Sequence, residues 1–415
     1  MSSCHRTFQF FGRVLATVVF AALALPSLAG EAHESAVQVV RPGQSIQAAI
    51  DHAAPGSVVL VLPGVYRETG DATNGLNIGK GIKLIGLSTA GQRVVLENAA
   101  DQRNGIVVVP SERTQCMSCH ANMAPPFPLL EGVAAGTTSR PPMIKNFFIS
   151  GITIRGFRNN GLFLENVDGF AIVDVWSVDN QNYGIFPTLS RNGVIHSSRS
   201  TGSGDSGVWV ETSENIRVTN TLVENNLVGI EVSNSDDVFI AFNESRYNSI
   251  GVASLLLLNR FKERPGAKRI TIERNSVHDN NRVNGNSPSS FLGALPSGVG
   301  ILHLGVDDSL ITRNRIERNG LAGIAVVDVC LASAGTPRDC SRDPLVTPEF
   351  IADQAATGNR IVGNILVSNG TTPVTPPFAF AASDLALLSF SSSNCYARNA
   401  FKTSFSILGS LPPCP

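Results

Sequence analysis

Short stretches rich in β-branched and aromatic residues recur along most of this chain, among them "GVWVE" at 207–211, "VFIAF" at 238–242 and "RITIE" at 269–273, the last alternating strictly between apolar and polar. Alternation with a period of two is the signature of a β-strand with one buried face, and polar turn residues separate the stretches. The stretches repeat. Gly161, Gly184, Gly207, Gly229 and Gly251 each precede an apolar residue, at spacings of 23, 23, 22 and 22, and the frame returns at Gly300 and Gly323. A second frame places Asp174, Ser197, Asn220 and Asn243 at intervals of 23, resuming at Asn275, Asn314 and Asn364. In nearly every copy an Asn or Asp follows five residues later: Asp179, Asn225, Asn248, Asn280, Asn319 and Asn369.

Three strands of about five residues and three turns fill a unit of this length, and winding them into a coil stacks equivalent strands in parallel, about 4.8 Å apart. The pattern therefore predicts an all-β fold, a single-stranded right-handed parallel β-helix or solenoid. Val and Ile point into the tube, and Asn at fixed corners bonds the Asn one coil away. A leucine-rich repeat has a similar period, but its helical half is missing here. Residues 36–67 form the N-terminal cap and first coil. There Ser45 is the predicted N-cap of an amphipathic helix carrying Ile46, Ala49 and Ile50 on one face. The β-helix fills 68–370, with insertions at about 111–143, 256–267, 282–297 and 329–356. Residues 371–415 leave the repeat and form a C-terminal cap.

Residues 1–29 carry Arg6 and Arg13, then a mainly apolar stretch from Val14 to Leu25, then Ser27-Leu28-Ala29, which is the layout of a cleavable export signal. No later stretch is apolar for the length that a membrane helix needs. A periplasmic or secreted location follows. The 32 basic and 33 acidic residues give a net charge of −1, so no basic surplus is available for nucleic acid. In an oxidising compartment, the clustering of Cys330 with Cys340 and of Cys395 with Cys414 points to two local disulfides.

The opening "PGQSIQAAIDHAAPGSVVLVLPGVYRET" and the units "NYGIFPTLSRNGVI" and "LVGIEVSNSDDV" resemble right-handed parallel β-helix proteins of the pectin-lyase-like superfamily. More narrowly, they resemble the exported bacterial parallel β-helix repeat proteins of unassigned function. The resemblance implies an extracytoplasmic life, often among polysaccharide lyases, epimerases and glycoside hydrolases, and an exported partner protein. It hands over no catalytic residues. Enzymes of this fold that act on uronans typically use carboxylates, often with calcium, and a basic residue, which makes calcium a candidate cofactor.

Counting from each repeat glycine, positions +1 and +3 point inward and +2 and +4 outward. Phe163, Phe186 and Trp209 then stack on adjacent coils as a glycan-binding row, with Glu165 beside them and Glu211, Glu231 and Asp205 as acid/base candidates. Arg191, at the next turn, is the nearest candidate base or clamp. Such a row also serves as packing beneath an insertion. His196, His278 and His303 fit structural roles.

One motif stands apart. Cys116-Met117-Ser118-Cys119-His120 has the spacing of c-type haem attachment, with both thiols and an axial histidine. A Cys116–Cys119 disulfide or dithiol and a small metal clip are the alternatives. Two functions follow: a protein that binds or processes a polysaccharide on its aromatic and carboxylate face, or a non-catalytic scaffold or redox partner carrying haem or a dithiol on this loop.

Overall fold

The computed structural model describes residues 37–111, 142–257, 266–287, 292–334, 339–344, 346–372 and 378–415. Within them the chain winds through three sheets whose strands all pair in parallel. Sheet A runs from Val37–Val40 to Cys395–Ala397, sheet B from Gly64–Tyr66 to Ile365–Val367, and sheet C from Asn74–Ile78 to Ser404–Ser406. A typical coil passes from Arg191–His196 in A to Arg199–Thr201 in B and Ser206–Glu211 in C, and returns to A at Glu214. This is a right-handed parallel β-helix, the sense that twisted parallel strands impose on their crossovers.

Alternation buries one side of every strand in the tube. In sheet A the column Ile172, Ile195, Val218, Ile240, Ile272, Ile311 and Ile361 is in register from coil to coil, and every member is fully buried. Each such side chain contributes roughly 1.5–3 kcal/mol relative to exposure. Ser45 accepts the Ala48 N–H at 3.0 Å and caps the helix Ile46–His52, which buries Ile46 and Ile50 against the first coil.

The polar ladders exist, but one column away from where the 23-residue frame puts part of them. Thr219 pairs with Ala241, so Asn220 stands level with Phe242. Asp174, Ser197, Asn220 and Phe242 hold a left-handed backbone at the A-to-B corner. One place on, Asn243, Asn275, Asn314 and Asn364 form the ladder, each accepting the backbone N–H or amide of the coil before at 2.9–3.0 Å. Likewise Asp179 and Asn225 have positive φ, and the second ladder runs Asn226, Asn248, Asn280, Asn319, Asn369 and ends on Asp384. The slip arises where the coil shortens from 23 to 22 residues. Asn suits both a left-handed corner and a ladder, so residue type alone does not separate the columns.

The insertions are not distributed evenly around the tube. From Val167 onward the A-to-B link is two residues in every coil. By contrast, residues 109–143, 256–270 and 328–359 leave the coil between a sheet C strand and the next sheet A strand, and 279–298 and 368–382 between B and C. All five therefore flank sheet C. Their described parts include the helix Val329–Ser333, tied through the Cys330–Cys340 disulfide; the Cys395–Cys414 disulfide closes the last coil.

Candidate functional site

Described parts of the insertions pack on the outer face of sheet C, where side chains from the coils meet side chains from elsewhere in the chain. Two outward rows cross it in register. One continues through Phe163, Phe186, Trp209, Glu231, Ala253, Leu302, Ala325 and Ala386, the other through Glu165, Thr188, Glu211, Ser233, Leu255, Leu304, Val327 and Leu388. Each row changes character midway. Beyond Glu231 and Ser233 the face is aliphatic and packs against Leu292, Leu331, Phe378 and Phe405. Before that point it is aromatic and acidic.

The rings form one stack. Phe163 lies 5.2 Å from Phe186, and Phe186 lies 4.3 Å from Trp209 with the planes 13° apart. Tyr183 leans on both, at 4.8 Å from Phe186 and 4.5 Å from Trp209. Trp209 is 5% exposed, while Phe163, Phe186 and Tyr183 are partly buried. The row points outward as alternation predicts, yet it is packed rather than laid open, because its members cover one another.

Against the stack sits a chain of polar groups. Trp209 Nε1 donates to Ser233 Oγ at 2.8 Å, and Ser233 Oγ donates to Glu231 Oε1 at 2.8 Å. Ser206 Oγ lies 2.5 Å from Glu231 Oε2 and 3.3 Å from Asp205 Oδ1. The Tyr183 hydroxyl hydrogen-bonds Asp205. Thr188 and Thr212 donate to the two oxygens of Glu211, and Asn166 donates to Glu165 at 3.1 Å. Asp205 and Glu231 are 3% and 5% exposed, and neither takes part in an ion pair among the described residues. Burial, followed by the charge of Glu231, pushes the Asp205 carboxyl well above the usual carboxylate range. Burial raises Glu231 as well, against the hydrogen bonds from Ser206 and Ser233. Tyr183 is raised by burial and then by the two acids.

Of the residues singled out in the sequence, Phe163, Phe186, Trp209, Glu165, Glu211, Glu231 and Asp205 converge on this face. Arg191 does not. It opens the sheet A strand Arg191–His196 and donates to Asp168 Oδ2 at 2.8 Å, a bond that holds the Asp168 carboxyl low. Thr188 and Ser233, the outward +4 residues of their coils, complete the site, together with Tyr183 and Ser206, which the spacing did not single out. Both directly precede repeat glycines: Tyr183 stands at the bend from B to C, where strand alternation does not yet hold, and Ser206 opens its sheet C strand. An aromatic directly before a repeat glycine, "NYGIF", was the available signal.

Cys116, Cys119 and His120 lie outside the described residues. Among the described residues no group of three or more His, Cys, Asp or Glu is placed to hold a metal ion. His196 bonds Thr219 at 2.8 Å, His278 bonds Asp279 at 2.8 Å, and His303 lies inside the tube.

A family model described as periplasmic copper-binding protein (NosD) matches residues 143–290. In structure the chain is similar to the A-module of mannuronan C-5 epimerase AlgE4 of Azotobacter vinelandii, at 18% identity and a TM-score of 0.56 over 88% of this chain and 93% of that one. The AlgE6 A-module of the same organism gives 17% and 0.55 over 89% and 94%. A tailspike protein of E. coli bacteriophage HK620 gives 10% and 0.52 over 87% and 60%. No curated protein is significantly similar in sequence. Three parallel sheets, the coil repeat and these likenesses agree on the fold: the chain is a right-handed parallel β-helix.

Proposed function

We propose that the protein, in the periplasm or outside the cell, binds a polysaccharide on the outer face of sheet C and acts on it by acid–base chemistry. One observation carries the reading. Two nearly fully buried carboxyl groups, with no cation beside them among the described residues, adjoin a four-ring stack on the one sheet that every insertion flanks. Burying acids without a counter-charge costs stability, so a fold that tolerates it here uses them for something other than packing. Ring faces beside hydrogen-bonding acids suit a sugar, which presents apolar C–H faces and hydroxyls together. The fold likeness to two proteins named for epimerising mannuronan is in keeping with a glycan ligand.

Copper is not carried over from the family model's description. The matched residues 143–290 contain no cysteine, and their two histidines, His196 and His278, are bonded to Thr219 and to Asp279 in separate coils. That donor set does not fit a copper site.

The test is a panel of neutral and uronic-acid polysaccharides, scored for binding and for product. Glu231→Gln is expected to lower turnover roughly 10²–10⁴-fold, the range of a positioned acid or base. Phe163→Ala, at the outer end of the ring stack, is expected to weaken binding about tenfold, equivalent to one aromatic contact. A protein that binds none of the polysaccharides would remove the reading.

A further inference from the structure

We propose that Asp205, Ser206 and Glu231 hold one proton between the two carboxyl groups at neutral pH, and that Tyr183 is the path by which that proton enters and leaves.

The chain of hydroxyls and carboxyls is one hydrogen short. An indole N–H can only donate, so Trp209 fixes the direction of the first link, and Ser233 spends its own hydrogen on Glu231 Oε1. Glu231 Oε2 and Asp205 Oδ1 then both face the single hydroxyl of Ser206, at 2.5 and 3.3 Å. One hydrogen cannot be donated fully along both contacts. With both acids ionised, the longer contact leaves Asp205 Oδ1 against the Ser206 oxygen with only the Tyr183 hydrogen to serve that carboxylate, and two like charges share one buried hydroxyl. One carboxyl hydrogen resolves this: Ser206 donates to one acid and accepts from the other. Among the described residues no charge on the neighbouring elements offers another solution. The groups that face the pair are Tyr183 from the preceding coil and Glu211 on the same strand as Ser206, and the next coil presents Ala253. None of these is basic.

Tyr183 is the least buried member of the chain, since Asp205, Ser206, Trp209, Glu231 and Ser233 are all almost completely buried. Its phenol passes its hydrogen to an oxygen on the outer face and takes the carboxyl hydrogen from Asp205. The pair is left as two carboxylates, and a water proton returns by the reverse route. Only the naming of that outer oxygen as a glycan's rests on the proposed function; the store itself does not.

Infrared spectroscopy of the full chain tests the store without any substrate. At pH 7 the unmodified protein should show the carbonyl band of one protonated carboxyl group. Difference spectra should lose that band in both Asp205→Asn and Glu231→Gln. Loss in only one of them identifies a lone buried acid and overturns the sharing, and so does a wild-type spectrum with no band or with two. In Tyr183→Phe the band should remain while its deuterium exchange slows roughly 10²-fold, the lower end of what a positioned proton-transfer group contributes. Unchanged exchange overturns the exit path. A store that passes every test in a protein that binds no glycan would refute the proposed function alone.

Discussion

His303 shows at the scale of one residue what the tube interior costs a polar side chain. It occupies an inward +3 position, level with Ser254 in the coil before and Val326 in the coil after, and it is fully buried. Neither ring nitrogen is in hydrogen-bonding geometry with a partner, and the Ser254 hydroxyl is likewise unmatched. Burial lowers the imidazole pKa to about 4, and the nearby Leu302 backbone offsets this only in part. Because the folded value lies below the ordinary 6.5, the unfolded chain binds a proton between those two pH values while the native state does not. Stability is therefore full above pH 6.5 and falls as the pH drops towards about 4, by about 3 kcal/mol from this residue. His303→Leu, which places in this column the residue type found two coils on at Leu387, is expected to flatten that limb. Denaturant midpoints at pH 4.5 and 7.5 check it, and an equally steep fall in the variant would refute the assignment. The same alternation rule that put His303 inside put Phe163, Phe186, Trp209 and Glu231 outside, and their backbone placement was legible for that reason. Tyr183 was not, because it stands at a bend. The burial of Asp205 and Glu231 was not legible either, since it depends on what packs over a strand rather than on the strand.

At the scale of the element, the coil is specified by two columns that look alike in sequence. A left-handed corner needs a residue that tolerates positive φ, and the ladder needs a side chain with both a donor and an acceptor; Asn meets both demands. Counting by 23 therefore finds the repeat and the turn but merges adjacent columns wherever a coil drops a residue. The ladder column is the one that carries energy. Asn280 receives the N–H and the amide of Asn248 on its Oδ1, at 3.1 and 2.9 Å, and gives its own to Asn319 and to the Ser245 carbonyl. Asn280→Ala leaves the buried Asn248 N–H unmatched, at about 1–3 kcal/mol, while Asn248 Nδ2 keeps the Val223 carbonyl and Ser245 Oγ. The expected loss exceeds that of Asn399→Ala at the partly buried end of the other ladder, where the chain is less shielded from water. Equal losses in the two variants, by thermal or denaturant unfolding, would show that burial does not set the ladder's value.

For the whole molecule, a solenoid joins each coil only to its neighbours, so damage at one end should stay there. The sequence shows where insertions interrupt the repeat. Only the phase of the three sheets shows that all five border sheet C, because the corner at which a loop leaves depends on the exact column in which the coil is broken. The Cys395–Cys414 disulfide closes the far end, where Tyr396 bridges Pro413 and the last sheet C strand, Ser404–Ser406, pairs with Ser383–Leu388. The Ser206–Glu211 strand lies five sheet C strands before Ser383–Leu388, about 24 Å along the axis at the usual strand spacing. Closing a loop of this size withholds about 3 kcal/mol of chain entropy from the unfolded state. Replacing both cysteines by serine should thus raise amide exchange across residues 383–406 while leaving the strands Ser206–Glu211 and Val228–Ser233 as protected as before. The site's rigidity comes from its own coils, its ring stack and its hydrogen-bond chain, none of which touches the C-terminal closure. Exchange that rises uniformly along the helix would mean that the protein unfolds as one cooperative unit, and that the site depends on the closing disulfide after all.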